Sequence, residues 1–173
     1  MCKVIMRIMV FAAVALGIAG CAHYSVVEPV EDPVTITVLP VINQSELPQI
    51  IAPLARNLRE KLAHSPNWAL VGDDSAEVAL QVTISALERS TLARDPADTG
   101  RPLSYREIIR ISVEWQSELP PPWGPDPVLL IEDDQLLYAQ PSLVNAETVA
   151  MGEIADRLAE KILQRLDWTG SDL

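Results

Sequence analysis

Two stretches of strict alternation constrain this chain more than anything else in it. Val78, Leu80, Val82 and Ile84 alternate with Ala79, Gln81, Thr83 and Ser85. Further on, Tyr105, Glu107, Ile109, Ile111, Val113 and Trp115 alternate with Arg106, Ile108, Arg110, Ser112 and Glu114. A period of two puts the members of each set on opposite sides of a strand. Each strand then has one apolar side to bury and one polar side for water, as in a sheet covered on a single face. Two amphipathic segments supply the cover. The first predicted helix runs from about Glu46 to His64, with Leu47, Ile51, Leu54, Leu58 and Leu62 on one stripe. Pro53 falls inside it. Either the helix kinks there, or its regular part starts near Ala52 with Pro53 in the first turn. The second helix runs from about Ala146 to Trp168, capped by Asn145. Met151, Ile154, Leu158, Ile162 and Leu166 form its stripe, and Ala155 admits a close neighbour.

The remaining segments complete an α+β pattern. Val34 to Val41 is a β-branched strand, with Pro40 suited to its end or an edge. Asn43 to Ser45 is a turn, and Ser45 caps the first helix. Trp68 to Val71 is a short strand, closed by Gly72-Asp73-Asp74. Residues 89–103 read as a loop, and residues 120–127, with five prolines, as an irregular segment. Val128 to Ile131 and Leu136 to Gln140 read as a hairpin turning at Glu132-Asp133-Asp134-Gln135. The order β-α-β-β-β-(β)-α predicts a two-layer sandwich. Its two helices pack on one face of a mainly antiparallel, four- to five-stranded sheet. One domain spans residues 34–168, with a frayed tail at 169–173.

The N-terminus carries a different message. Lys3 and Arg7 precede an apolar run from Ile8 to Ala19, too short to span a bilayer as a helix. Small residues and Cys21 follow in Ile18-Ala19-Gly20-Cys21. Residues 1–20 have the grammar of a secretory signal peptide, and the run ending at Cys21 resembles the bacterial lipoprotein signal. That resemblance implies cleavage before Cys21, a lipid on its sulfur and an acyl chain on its new amino group. Each buried methylene contributes about 0.8 kcal/mol, so several chains anchor stably where one is marginal. Residues 21–33 would then be a lipidated tether. In lipoproteins an Asp after the cysteine usually means inner-membrane retention. Ala22 stands there instead, which implies the outer membrane.

Processing sharpens the composition. The mature chain would hold 153 residues, with 11 Lys and Arg against 24 Asp and Glu, a net charge of −13. Such a chain is a poor partner for nucleic acid, whose phosphates need a basic face. Cys2 leaves with the leader, so Cys21 is the sole cysteine, with no disulfide and no cysteine metal site to expect. No metal-ligand cluster, phosphate loop or nucleophile elbow appears, and His23 and His64 fall in the tether and at a helix end. The pairs Asp73-Asp74 and Asp133-Asp134 sit in predicted turns, where Asp bonds its own backbone. No enzyme activity, metal or cofactor is expected, beyond the covalent lipid on Cys21. One contrast stands out against the acidic background. Arg89, Arg94, Arg101, Arg106 and Arg110 fall within a single loop and strand. They either pair with neighbouring acids or form a surface for anionic groups, since guanidinium forks match phosphate.

An ordered series of segments resembles the lipopolysaccharide-assembly lipoproteins, the LptE family. It opens with Gly20-Cys21-Ala22-His23-Tyr24 and continues through Thr35-Ile36-Thr37-Val38-Leu39-Pro40-Val41-Ile42-Asn43-Gln44-Ser45. It then takes in Ser75-Ala76-Glu77-Val78-Ala79-Leu80-Gln81-Val82-Thr83-Ile84, the opening Tyr105-Arg106-Glu107 and the closing Ala155-Asp156-Arg157-Leu158-Ala159. His23 before the tyrosine, Ser25-Val26 after it and the proline run 120–127 depart from the family pattern. The resemblance implies a non-enzymatic outer-membrane lipoprotein facing the periplasm or a barrel lumen. Its partner would be an LptD-like outer-membrane β-barrel that inserts lipopolysaccharide, and lipopolysaccharide itself is a second candidate ligand. The five arginines would then face the lumen or the glycolipid phosphates. Two other roles suit the same architecture: an auxiliary lipoprotein of a lipid-transport ABC system, and a periplasmic activator of a cell-wall enzyme.

Overall fold

The computed structural model describes residues 32–72, 75–139 and 143–167. The leader, Cys21, His23 and most of the tether lie outside the described residues, as do Asp73, Asp74, Gln140, Trp168 and the tail. The elements are β1 (Val34–Val38), β2 (Ile42–Asn43), a 3-10 turn (Pro48–Ile50), α1 (Ile51–His64) and β3 (Trp68–Leu70). Then come β4 (Val78–Arg94), β5 (Pro102–Gln116), β6 (Val128–Tyr138) and α2 (Leu143–Leu166).

The two helices cover one face of one sheet, ordered β3-β1-β4-β5-β6, with β2 also on β4. The long strands β4, β5 and β6 are antiparallel. The sheet as a whole is mixed, because β1 is parallel to both β3 and β4, and β2 is parallel to β4. The physical reason is α1. A helix between two short strands carries the chain back to its starting end, so β3 enters beside β1 in the same direction.

Local chemistry sets the boundaries. The chain breaks between β1 and β2 around Pro40, which lacks a ladder donor. Asn43 Oδ1 accepts from Ser45 N at 2.9 Å and from Ser45 Oγ at 2.7 Å. Ser45 Oγ in turn accepts from Leu47 N at 3.3 Å. Ser45 therefore closes a turn two residues ahead and does not cap the helix. Pro53 is the third residue of α1, where its missing N–H has no helical partner to lose.

The core follows the two stripes. Leu54, Leu58 and Leu62 of α1 are buried, joined by Ile50 from the 3-10 turn. Met151, Ile154, Leu158, Ile162 and Leu166 of α2 are buried with Ala155 and Ala159. They meet Ile36, Val38, Val78, Leu80, Val82, Ile84, Ile109, Ile111, Val113 and Trp115 from the sheet. Opposite charges on its two flanks orient α2. Lys61 of α1 meets Asp156 and Glu160 at 3.1 and 3.0 Å on one side. Asp133 of β6 meets Arg157 and Lys161 at 2.8 and 2.9 Å on the other.

Three expectations need correction. Residues 89–103 are not a loop: β4 runs to Arg94 and β5 starts at Pro102, leaving 95–101 as the turn. Polar, exposed strand ends carry no burial signal, yet the ladder continues across register shifts after Ile84 and Thr91. Glu132 to Gln135 is not a hairpin turn but the middle of unbroken β6. Its acids stay extended because cations wait on both sides of the sheet. Asn145 is the third residue of α2, which starts at Leu143, so it is not the cap.

The proline segment is irregular, as its composition dictates, and it folds back onto the core. Trp115 packs edge-on against Trp68 and Trp123, with ring centroids 6.1 and 5.5 Å apart. Trp115 Nε1 donates to Leu119 O at 2.7 Å, and Trp123 Nε1 to Asp126 O at 2.9 Å. Gly124 adopts φ +129°, a conformation that favours glycine.

Candidate interaction surface

The five arginines divide into three settings, and the strand period decides which residue goes where. Arg89 lies on the helix-covered side of β4, directly across from Glu107 of β5. Glu107 is fully buried. Arg89 Nε donates to Glu107 Oε1 at 2.7 Å, and Arg89 Nη2 bonds both Glu107 and Glu147 of α2. Gln135 Nε2 of β6 donates to the other Glu107 oxygen at 2.9 Å. Four residues thus tie three strands to the first turns of α2. Burial opposes charge on Arg89, but its bonds to Glu107 and Glu147 outweigh this and raise its pKa above the ordinary value.

Arg106 and Arg110 point to the opposite, helix-free side. Arg110 is bracketed across three strands, bonded to Glu88 of β4 and to Glu132 of β6, the latter at 2.7 Å. The hydrogen bonds it donates to Glu88 and then to Glu132 hold its pKa well above the ordinary value. The Arg110 hydrogen bond holds Glu88 below the usual carboxylate range. Arg106 Nε meets Asp134 Oδ2 at 2.9 Å. For Arg89, Arg106 and Arg110, pairing with neighbouring acids is what the structure shows.

Arg94 and Arg101 differ. They flank the 95–101 turn at the free end of the β4–β5 hairpin. Arg94 Nη1 donates to Thr99 O at 3.1 Å. Among the described residues neither guanidinium has an ion-pair partner. Asp95 and Asp98 of the same turn are spent on backbone, accepting from Ala97 N at 2.8 Å and Gly100 N at 3.1 Å. Leu92 beside them is exposed. The turn stands at the far end of 17-residue β4 from the point where the chain enters the sheet at Val34. At about 3.3 Å per residue that is roughly 50 Å.

Sequence reasoning grouped the five cations but missed Gln135 and Glu147 as partners. One signal was available, since Glu107 occupies a buried position in the β5 alternation, and a buried carboxylate requires a cation or donors. His64 is exposed, with Nδ1 2.6 Å from Glu60 O. Among the described residues no group of three or more His, Cys, Asp or Glu could hold a metal ion. No described helix is long and apolar enough to cross a membrane. Cys21, the expected lipidation site, lies outside the described residues.

Comparison with known proteins places this geometry. A family model described as LptE, lipopolysaccharide-assembly, matches residues 34–166. The crystal structure of rare lipoprotein B from Shewanella oneidensis superposes with a TM-score of 0.53 at 21% identity, covering 75% of this chain and 91% of that one. A hypothetical protein from Chlamydia trachomatis superposes with a TM-score of 0.52 at 11% identity, covering 82% of this chain and all of that one. Both likenesses concern the fold. Comparison with curated proteins gives no match.

Proposed function

The chain belongs to the LptE lipopolysaccharide-assembly family, and on that premise we propose that it is an outer-membrane lipoprotein acting as plug and partner of a lipopolysaccharide-inserting β-barrel. A lipid on Cys21 would hold the tether end at the bilayer and keep the domain at high effective concentration beside the barrel. The observation that carries the reading is the hairpin turn. Its two arginines, without ion pairs among the described residues, stand roughly 50 Å from the entry of the chain into the sheet, farther than the roughly 30 Å hydrocarbon core of a membrane. A domain anchored at one end thus reaches through a barrel lumen and presents Arg94 and Arg101, with Leu92, at the other. Guanidinium forks beside an apolar side chain suit the phosphates and acyl chains of a glycolipid. Arg89, Arg106 and Arg110 hold the hairpin in place.

The test is Arg94→Ala with Arg101→Ala in the full-length lipoprotein. Thermal melting should be unchanged, because both side chains are exposed. Binding of lipopolysaccharide, or recovery of the barrel from solubilised outer membrane, should fall. Unaltered binding of both refutes the contact. Separately, Cys21→Ser should abolish palmitate labelling and release the protein from the membrane.

A further inference from the structure

A second surface, distant from the hairpin turn, lies along the open edge of the sheet. β6 ends the strand order, so among the described residues one of its sides has no neighbouring strand. Trp115 N donates to Pro127 O and Ala139 N to Leu103 O, so the odd-numbered residues of β6 turn their backbone groups toward β5. The even-numbered residues turn theirs outward. Four outward groups are already guarded. Val128 N donates to Asp126 Oδ1 at 2.9 Å, Lys161 Nζ donates to Glu132 O at 2.8 Å, Arg157 Nη2 donates to Asp134 O at 3.1 Å, and Asp134 N donates to Asp133 Oδ1 at 3.0 Å. Leu130 lies between the first two guards, its N–H and C=O directed at the open edge. Its side chain is 77% exposed, the most of any large apolar residue described. Edge backbone beside exposed apolar side chains is a template for strand pairing.

The adjoining flank of α2 supplies charge. Arg157, Lys161 and Arg165 recur at four-residue spacing and share one side of the helix. Asp133 is the carboxylate they contact, through Arg157 and Lys161, and Glu153 stands exposed one turn earlier. Arg165 has no ion-pair partner among the described residues. A groove of about 340 Å³ between strand and helix is lined by Leu130, Ile131, Glu132, Lys161, Gln164 and Arg165. Within the groove itself Lys161 and Arg165 stand against Glu132 alone, whose carboxylate is paired by Arg110 from the helix-free face.

We propose that this groove binds an extended acidic segment of another protein, added as a strand to β6 at Leu130. An added strand alternates its side chains. Those on the helix-free face would pack on Leu130 and Val128, and those on the helix side would meet Lys161 and Arg165. The occupant therefore alternates apolar and carboxylate residues. Backbone pairing gives affinity, and the cationic flank selects charge. Lys161 now stands where an incoming N–H would sit on Glu132 O, and its flexible stem can turn to a carboxylate instead. This surface does not depend on the glycolipid contact.

The test uses full-length protein in detergent with two capped peptides, Ac-(Glu-Val)4-NH2 and Ac-(Lys-Val)4-NH2. The acidic peptide should bind at least about tenfold tighter, weaken as salt is raised, and slow hydrogen exchange at the Leu130 and Glu132 amides. Arg165→Glu, an exposed change, should lower its affinity about tenfold. Leu130→Pro, tolerated at an edge but lacking the outward N–H, should abolish binding with the melt retained. Equal binding of both peptides, no binding at millimolar concentration, or indifference to Arg165→Glu overturns the proposal.

Discussion

Replacing Arg89 by Met tests what it costs to leave the buried Glu107 carboxylate without its cation. Glu107 has no solvent exposure, while the Arg89 side chain is 32% exposed. The change therefore leaves a carboxylate sealed under α2, with Gln135 Nε2 as its remaining side-chain donor. Removing one partner of a buried pair costs about 3–5 kcal/mol. The partial exposure of Arg89 brings the expected loss to the lower end, about 3 kcal/mol. For a domain of this size that lowers the melting temperature by roughly 10 °C. The assay is urea unfolding followed by circular dichroism, with an unchanged m-value as the sign that both variants unfold from the same fold. The partner variant Arg89→Met with Glu107→Leu removes both charges and should recover most of the loss, since a matched apolar pair is often neutral or stabilising. A loss under about 1 kcal/mol for Arg89→Met alone, or a double variant no better than the single, would refute the reasoning.

Two further outcomes rest on the packing and the charges. Leu158→Ala empties a fully buried site between α2 and the sheet and should cost about 3 kcal/mol in the same unfolding assay. Burial pushes the Asp133 carboxyl up, but hydrogen bonds from Lys161 and Arg157 outweigh it and hold the pKa below its ordinary value. Its stabilisation is present above the unfolded carboxyl value near 3.9 and is lost as pH falls through the lower folded value. Wild type should exceed Asp133→Asn by about 1 kcal/mol at neutral pH, the partners being 41–42% exposed. That advantage should shrink below about pH 4, and an equal difference at every pH would refute it.

How legible each part was in the sequence depended on how local its physics is. Helix stripes and strand alternation are set by 3.6- and 2-residue periods, so α1, α2, the first half of β4 and nearly all of β5 can be read directly. The second half of β4 is exposed on both faces, which erases the period. Glu132-Asp133-Asp134-Gln135 has turn composition, and only the Arg110, Arg106, Arg157 and Lys161 partners make it a strand. The arginine cluster was visible as composition but not as three separate settings. That division comes from which face each strand presents and which acids stand across from it.

The sequence by itself determined a two-layer α+β domain and its core residues, because burial is written in short-range pattern. Only the tertiary structure decided that β1 lies parallel to β3 and β4, that three arginines are neutralised in place, and that two at the hairpin turn have no ion-pair partner among the described residues. Those outcomes depend on contacts between residues far apart in the chain, and no local period records which distant carboxylate arrives beside which cation.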